Sequence, residues 1–421
     1  MDILQDLEAR GLMQSTTDYE GLQEHLANNQ VTLYCGFDPT ADSLHIGHLL
    51  PITMLKRFQE AGHRPIALIG GGTGMIGDPS GRSAERSLNE AEVVKGFAES
   101  IKQQLGRVLN FEEGSNAAVA RNNHDWLADL TLIDFLRDAG KHFTVNYMLA
   151  KDSVASRIEH GLSYTEFSYM LLQSFDFSKL YDEEDCTLQI GGSDQWGNIT
   201  AGMEFIRRSH DDEQAKVFGL TVPLITKADG SKFGKTAGGA IWLDPKKTSP
   251  YEFYQFWYNT DDRDVIKFLK YFTFLDLDTI QELEKEVEVN PGARAAQKRL
   301  AEEMTTMVHN EKALQEAIKI SEALFSGDIK SLTKGEIEQG FKDVPTVELT
   351  KEDIPLVELL VQAAISSSKR QAREDISNGA IYINGERNQE VAHTITASDR
   401  LEDTFTVVRR GKKKYFLIHF K

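Results

Sequence analysis

The sequence predicts an α/β fold built on a parallel sheet, followed by a helical domain and a small α+β domain. Three observations predict it. Up to about residue 226, short apolar runs alternate with segments of helical spacing. Those runs are continuously apolar, as in strands covered on both faces. From Pro250 to Leu324 no good strand remains, and after Ile354 helical pieces give way to short strands. The expected boundaries are 1–226 for a Rossmann-like α/β domain and 227–247 for a basic loop. A helical domain over 248–325, a linker over 326–353 and a terminal domain over 354–421 follow.

The first strand is Val31–Phe37, and the turn after it leads into a helix over Leu44–Glu60, with Asp42 or Ser43 as its N-cap. Pro65–Ile69 is the next strand. It runs into Gly72-Thr73-Gly74-Met75-Ile76-Gly77, which matches a dinucleotide-binding pattern only on paper. The helix such a pattern needs is broken at once by Asp78 and Pro79. The segment reads as a turn where backbone approaches a ligand or another segment closely. Tyr164–Phe175 carries helical spacing. Cys186–Ile190 and Leu220–Ile225 are buried strands, and Gly230–Gly239 is a short-residue basic loop. Ser326–Asp353, with scattered glycine, Pro345 and frequent charges, reads as the linker. The Ile383-Asn384-Gly385-Glu386 run is a hairpin turn.

Ligands on parallel sheets sit beyond the strand C-termini, so strand ends carry the chemistry. His45 and His48 project from one face of a first helical turn, with Gly47 leaving room between them. No third ligand stands nearby, which argues against a metal. Tyr169, Gln173 and Asp176 are spaced 4 and 3 on an otherwise apolar helix. A polar line on a buried helix must be satisfied, and a phenol, an amide and a carboxylate suit a small zwitterion with a hydroxyl tip. Asp194 or Ser193 caps the next strand-to-helix turn, or holds a ribose or carboxylate. Arg82 and Arg86, with Lys232 and Lys235 on the loop, are either solvated charges or a clamp for a polyphosphate.

Composition excludes other classes. The chain has 421 residues, 40% hydrophobic and 27% charged, as in a globular protein of more than one domain. Cys35 and Cys186 are the only cysteines, which excludes a disulfide scaffold or a cysteine-rich zinc site. MDILQDLEAR is not a signal peptide, and no apolar run reaches the ~18 residues of a transmembrane helix. A cytoplasmic protein with no membrane partner is the expectation. The net charge of −18 argues at first against nucleic acid. From Asp353 onward, however, 11 basic residues face 9 acidic ones, so the acidity lies in the rest of the chain.

His45-Ile46-Gly47-His48 after a first strand, with Lys232-Phe233-Gly234-Lys235-Thr236 near the end of the α/β region, resembles the HIGH and KMSKS signatures of class I aminoacyl-tRNA synthetases. YCGFDPTADSLHIGH, GGGTGMIGDPSGRSAER, GGSDQWGNI and the Tyr169 helix narrow the resemblance to the bacterial tyrosine-specific family. It implies tyrosine activation by ATP, with Mg²⁺ accompanying the nucleotide, then transfer to tRNA(Tyr) by a homodimer. Tyr34 and Asp176 would hold the phenol. Asp78, Tyr169 and Gln173 would hold the ammonium, and Gln195 the carboxylate. Cys35, His48 and Asp194 would meet the ribose, while Gly47 admits adenine. Thr40 and His45 would grip the γ-phosphate, and Arg82, Arg86, Lys232, Lys235 and Thr236 would stabilise departing pyrophosphate.

The tail from Ser367 to Gly385 resembles an RNA-binding domain first described in a small-subunit ribosomal protein (S-four-like). Lys369, Arg370 and Arg373 form one basic cluster there, and Arg409, Arg410, Lys412, Lys413 and Lys414 a second. Arg207 and Arg208 are acceptor-stem candidates, and Leu130–Met148 is the expected dimer interface. Rival readings are the tryptophan-specific relative, a dinucleotide-forming adenylyltransferase and a non-catalytic RNA-binding protein.

Overall fold

The structure is a computed structural model that describes residues 2–81, 89–158, 161–212, 215–230, 233–236, 239–411 and 414–421, with Lys235 and Thr236 described by their backbone alone. Arg82, Arg86, Lys232, Lys412 and Lys413 lie outside the described residues. The chain divides into two compact units, one formed by Met1–Thr248 with Trp257–Val308, the other by Ser249–Phe256 with His309–Lys421.

The first unit is built on six strands: β1 (Ser15–Thr16), β2 (Thr32–Phe37), β3 (Arg64–Ile69), β4 (Val119–Asn122), β5 (Cys186–Gly192) and β6 (Phe218–Val222). Their order is β1-β6-β5-β2-β3-β4. All neighbours are parallel except β1, which runs antiparallel to β6. Chain order therefore reverses between β2 and β5, and a crevice opens there beyond the strand ends. β6 stops at Val222 rather than at the expected Ile225, because Pro223 has no N–H to donate to a ladder. β4 has no expected counterpart: its Val-Ala-Arg-Asn is neither continuously apolar nor alternating.

Four helices frame the site: α1 (Leu49–Glu60), α2 (Tyr164–Glu184), α3 (Trp196–Ser209) and α4 (Asp262–Phe272). α1 starts five residues later than expected, because Ile46–His48 forms a tight 3₁₀ turn first. Neither expected cap caps it. The Ser43 hydroxyl donates to the Leu44 carbonyl at 2.8 Å and to Gln104 Oε1 at 3.1 Å, and Asp42 pairs with Lys247. α2 begins under Ser163, whose hydroxyl accepts the Glu166 N–H, and continues past the expected Phe175 to Glu184. Phe177, Ile199 and Met203 from α2 and α3 pack on Tyr34, Ile66 and Leu68 of the sheet. Burying each such side chain contributes roughly 1.5–3 kcal/mol, which fixes α2 over the strand ends.

The second unit centres on a five-stranded sheet ordered Glu386–Asn388, Ile381–Ile383, Phe405–Arg410, Lys414–Phe420 and Thr346–Leu349. The expected hairpin turn is present, with Asn384 and Gly385 both at positive φ. The segment 326–353, expected as a linker, is part of this unit. It forms the helix Lys334–Gly340, and its strand Thr346–Leu349 pairs in parallel with Lys414–Phe420. Ile329, Leu332, Ile337 and Phe341 are buried against Phe405, Val407 and Leu417. Its charges face outward except for Glu336, which is buried and pairs with Lys319 at 2.7 Å, while its widely spaced apolar residues face the sheet, and composition alone conceals that. Among the described residues no helix is long and apolar enough to cross a membrane.

Candidate active site

A cavity of about 640 Å³ opens at the crevice between β2 and β5. Twelve of the expected site residues line it: Tyr34, Cys35, Thr40, His45, Gly47, His48, Asp78, Tyr169, Gln173, Asp176, Asp194 and Gln195. They arrive from the ends of β2, β3 and β5, from the histidine turn and from one face of α2.

At the bottom Asp176 is 2% exposed. One carboxylate oxygen accepts the Trp126 indole N–H at 2.7 Å, the other the Asn123 amide at 2.8 Å. Burial pushes this carboxyl up to about 7, against the lowering effect of those two donors. Tyr34 is buried and its hydroxyl has no hydrogen-bond partner among the described residues. Burial, then the nearby Asp176, holds the phenol well above its ordinary range, so it stays a neutral donor.

Above them a chain of hydrogen bonds sets the geometry. Asn123 also donates to Thr73 Oγ1 at 2.9 Å, and Thr73 donates to Asp38 at 2.7 Å. Asp38 accepts the Tyr169 hydroxyl at 2.7 Å. The Tyr169 oxygen therefore presents only lone pairs to the cavity. Asp78 accepts the Gln195 amide at 2.7 Å and the Ser80 N–H at 2.9 Å. Asn198 Nδ2 stands within hydrogen-bond distance of the oxygens of Gln173 and Gln195, at 3.1 and 3.2 Å. Asp194 is raised from its ordinary range by burial and by Asp78. Burial pushes the Cys35 thiol up to about 12.

The two histidines brace one another. His45 Nδ1 accepts the Gly47 N–H at 3.0 Å, and His48 Nδ1 accepts the His45 N–H at 3.2 Å. With Nδ1 occupied as acceptor on each ring, the proton of each neutral imidazole sits on Nε2. A Cβ on residue 47 would lie 2.7 Å from His45 Cε1, so glycine is needed for this brace as well as for any flat ligand above it. Gly70 meets the same demand at the end of β3, where a Cβ would fall 2.0 Å from an Asp38 oxygen. The glycine-rich turn is thus a place where segments of the protein itself meet.

The histidine turn is also tied to the stretch beyond the basic loop. The Ile46 N–H donates to the Ile241 carbonyl at 3.0 Å, and the Leu243 N–H to the Leu44 carbonyl at 2.8 Å. The Lys235 backbone pairs with Ala240 in a short antiparallel ladder. Asp38, Thr73, Asn123, Trp126 and Asn198 were assigned no role from sequence. Asn123 stands just beyond the end of β4, so the strand-end rule would have found it had that strand been recognised.

The basic residues divide by environment. Arg207 lines a second cavity, of about 450 Å³, and its Nε is buried with no partner among the described residues. Arg208 pairs with Glu204 at 2.8 Å and donates to the His142 carbonyl at 2.8 Å. In the second unit Arg370, Arg373 and Lys414 are exposed. Lys369 pairs with Glu358 at 2.7 Å, and Arg409 stacks over Tyr382 at 3.8 Å. Arg410 donates to the Ile365 carbonyl at 2.6 Å and pairs with Asp375 at 2.9 Å, which ties strand to helix.

Fold and cavity together define an α/β protein with a polar pocket at the strand ends of a parallel sheet. Residues 26–326 match the family described as tRNA synthetases class I (W and Y), and residues 336–418 the tyrosine–tRNA ligase SYY-like C-terminal domain. The tyrosine–tRNA ligase of Oceanobacillus iheyensis is 70% identical over 99% of both chains. That of Geobacillus stearothermophilus is 64% identical over 100% of both. A C-terminally truncated mitochondrial tyrosyl-tRNA synthetase of Aspergillus nidulans superposes with a TM-score of 0.69 at 31% identity, covering 77% of this chain and 94% of its own. The chain belongs to the tyrosine–tRNA ligase family of class I aminoacyl-tRNA synthetases.

Proposed function

We propose that this enzyme activates L-tyrosine with ATP and transfers it to tRNA(Tyr), using the residues gathered in the larger cavity. The observation that carries the reading is the buried pair at its base. Asp176 accepts and the unpartnered Tyr34 hydroxyl donates, so one phenol oxygen satisfies both. The ammonium sits among Asp78, Gln173 and the lone pairs of Tyr169. Gln195 holds the carboxylate, Cys35, His48 and Asp194 the ribose, and Gly47 leaves adenine its space. Thr40 and the Nε2–H of His45 face the γ-phosphate.

In the first step a carboxylate oxygen of tyrosine attacks the α-phosphorus in line. The new O–P bond forms as the bond to the bridging oxygen of pyrophosphate breaks, and that oxygen leaves with the electron pair. No side chain gains or loses a proton, so catalysis is positioning plus stabilisation of charge on the departing oxygens. Arg82, Arg86, Lys232, Lys235 and Thr236 supply that charge. Mg²⁺ enters with ATP as part of the substrate. In the second step a ribose hydroxyl of the terminal adenosine attacks the adenylate carbonyl. The acyl carbon–oxygen bond to phosphate breaks, and AMP leaves with the electron pair while the hydroxyl proton passes to the departing phosphate or to solvent.

The acceptor stem meets Arg207 and Arg208. The rest of tRNA(Tyr) meets the second unit through Lys369, Arg370, Arg373, Arg409, Arg410, Lys412, Lys413 and Lys414. The enzyme acts in the cytoplasm as a homodimer. Leu132, Ile133 and Val145, which are 70%, 69% and 61% exposed, support Leu130–Met148 as its interface. Pyrophosphate exchange with single amino acids tests the reading. Exchange with tyrosine is expected, with none for tryptophan or phenylalanine, and exchange driven by tryptophan alone would overturn it.

A further inference from the structure

We propose that Asp264 and Lys267 on α4 are positioning residues for the loop that carries Lys232 and Lys235. The inference rests on the reading that those lysines act on departing pyrophosphate, and it adds what holds them in register.

Asp264 is 3% exposed, and a buried carboxylate needs partners. Both its oxygens accept the Ala228 N–H, at 2.9 and 3.1 Å, and it pairs with Lys267 at 2.9 Å. Lys267 in turn donates to the Thr226 carbonyl at 2.7 Å. One turn of α4 thus grips the peptide groups on either side of Lys227, where the chain leaves β6 for the loop.

The same helix face takes the loop again further on. Asp264, Phe268 and Phe272 are spaced four apart and so lie in one row. Phe233 packs edge-on against Phe268 at 5.0 Å and stacks on Phe272 at 5.4 Å, with Trp257 at 5.8 Å. The next residue, Gly234, accepts the Ile241 N–H at 3.2 Å, and the Ile241 carbonyl accepts the Ile46 N–H from the histidine turn. Two fixed points, one ionic and one aromatic, therefore bracket the loop on a rigid helix. Neither Asp264 nor Lys267 lines the larger cavity, although Thr226 and Phe233, which this helix holds, do, so any effect of the pair on tyrosine or ATP passes through the segment it anchors. An anchor of this kind acts on the transition state, because displacing a catalytic cation by about 1 Å costs up to about 100-fold in rate.

The test is transient kinetics on full-length enzyme. Asp264→Ala should slow tyrosine activation about 10- to 100-fold. Tyrosine affinity and the rate of transfer from preformed adenylate to tRNA should stay within about twofold. Asp264→Asn keeps an acceptor for the Ala228 amide and should recover most of the loss. Lys267→Met, which leaves the Ala228 contact in place, gives an independent smaller decrease. In a Lys232→Ala/Lys235→Ala background Asp264→Ala should cost less than about threefold, since both cations it positions are gone. An unchanged activation rate in both Asp264→Ala and Lys267→Met overturns the proposal. So does a full additive loss in the Lys232→Ala/Lys235→Ala background, or an equal loss in binding and transfer. If Lys235→Ala alone leaves activation intact, the reading of the loop falls and this proposal with it. If Lys235→Ala slows activation and Asp264→Ala does not, only the positioning role falls.

Discussion

Replacing Tyr34 by Phe isolates a hydroxyl that no other protein group among the described residues satisfies. The hydroxyl is buried without a hydrogen-bond partner among the described residues, while the ring packs on Phe177 at 5.3 Å between centroids. An unpaired buried hydroxyl costs about 1–3 kcal/mol, and Tyr34→Phe removes that cost while keeping the packing. Ligand-free protein should therefore become more stable, raising its unfolding temperature by roughly 2–5 °C. Bound tyrosine loses one neutral hydrogen bond of about 0.5–1.5 kcal/mol, so kcat/KM for tyrosine should fall roughly 2- to 13-fold. Phenylalanine never satisfied this hydroxyl, so its kcat/KM should hardly change and discrimination should drop by the same factor. Rejecting phenylalanine by leaving polar groups unpaired is a strategy for which tyrosyl-tRNA synthetases are themselves the standard illustration. Thermal unfolding of the ligand-free protein and pyrophosphate exchange with both amino acids measure the two halves. A variant that is less stable and equally selective would refute the reasoning.

Three further outcomes are expected. Asp176 is the acceptor for the phenol only when ionised, and its carboxyl is raised to about 7 by burial, so kcat/KM for tyrosine should fall as pH drops through that value. Trp126→Phe removes a donor to the ionised form, so it should raise that pKa further and move the acid limb of the pH profile to higher pH, and an unmoved limb would contradict the assignment. Gly47→Ala places a Cβ against the His45 ring and should break the histidine brace. Activation should fall roughly 10- to 100-fold with circular dichroism unchanged, which stopped-flow adenylate formation would show. A chain ending at Asp353 should keep pyrophosphate exchange and lose tRNA charging. It leaves Ile337 and Phe341 without Phe405 and Leu417, so it should bind a hydrophobic dye that the full chain does not.

The residues that line the larger cavity were legible in the sequence because most of them sit at a strand end or on one helix face. Tyr34 and Cys35 lie on a continuously apolar strand, and Tyr169, Gln173 and Asp176 repeat at helical spacing. The groups that hold them were not legible. Asn123 and Trp126 follow a strand whose Val-Ala-Arg-Asn has no strand pattern, and their role depends on α2 packing across β3 and β4. The histidine turn shows the same limit. A Ser or Asp cap is the sequence rule, but here the ring of His45 closes the turn, and only the neighbouring backbone decides that. The supposed linker failed for a related reason. Its apolar residues are too sparse to mark an element, yet they find their partners some 60–90 residues further along the chain.

The acidity of the catalytic body has a use at the site itself. Asp38, Asp78, Asp176 and Asp194 all line the larger cavity. A triphosphate entering it meets like charge, whereas the ammonium of an amino acid meets opposite charge. On the proposed reading the carboxylates would draw the amino acid to the base and keep the polyphosphate toward the mouth. There, on the same reading, the Nε2–H groups of His45 and His48 would face the nucleotide. Hydrogen bonds from Trp126, Asn123, Tyr169, Thr73 and Gln195 hold the carboxylates apart and spread their charge. On that reading the polar network around these carboxylates would also order the two substrates, and a single gradient of charge would favour placing the carboxylate of tyrosine against the α-phosphorus rather than the γ-phosphate.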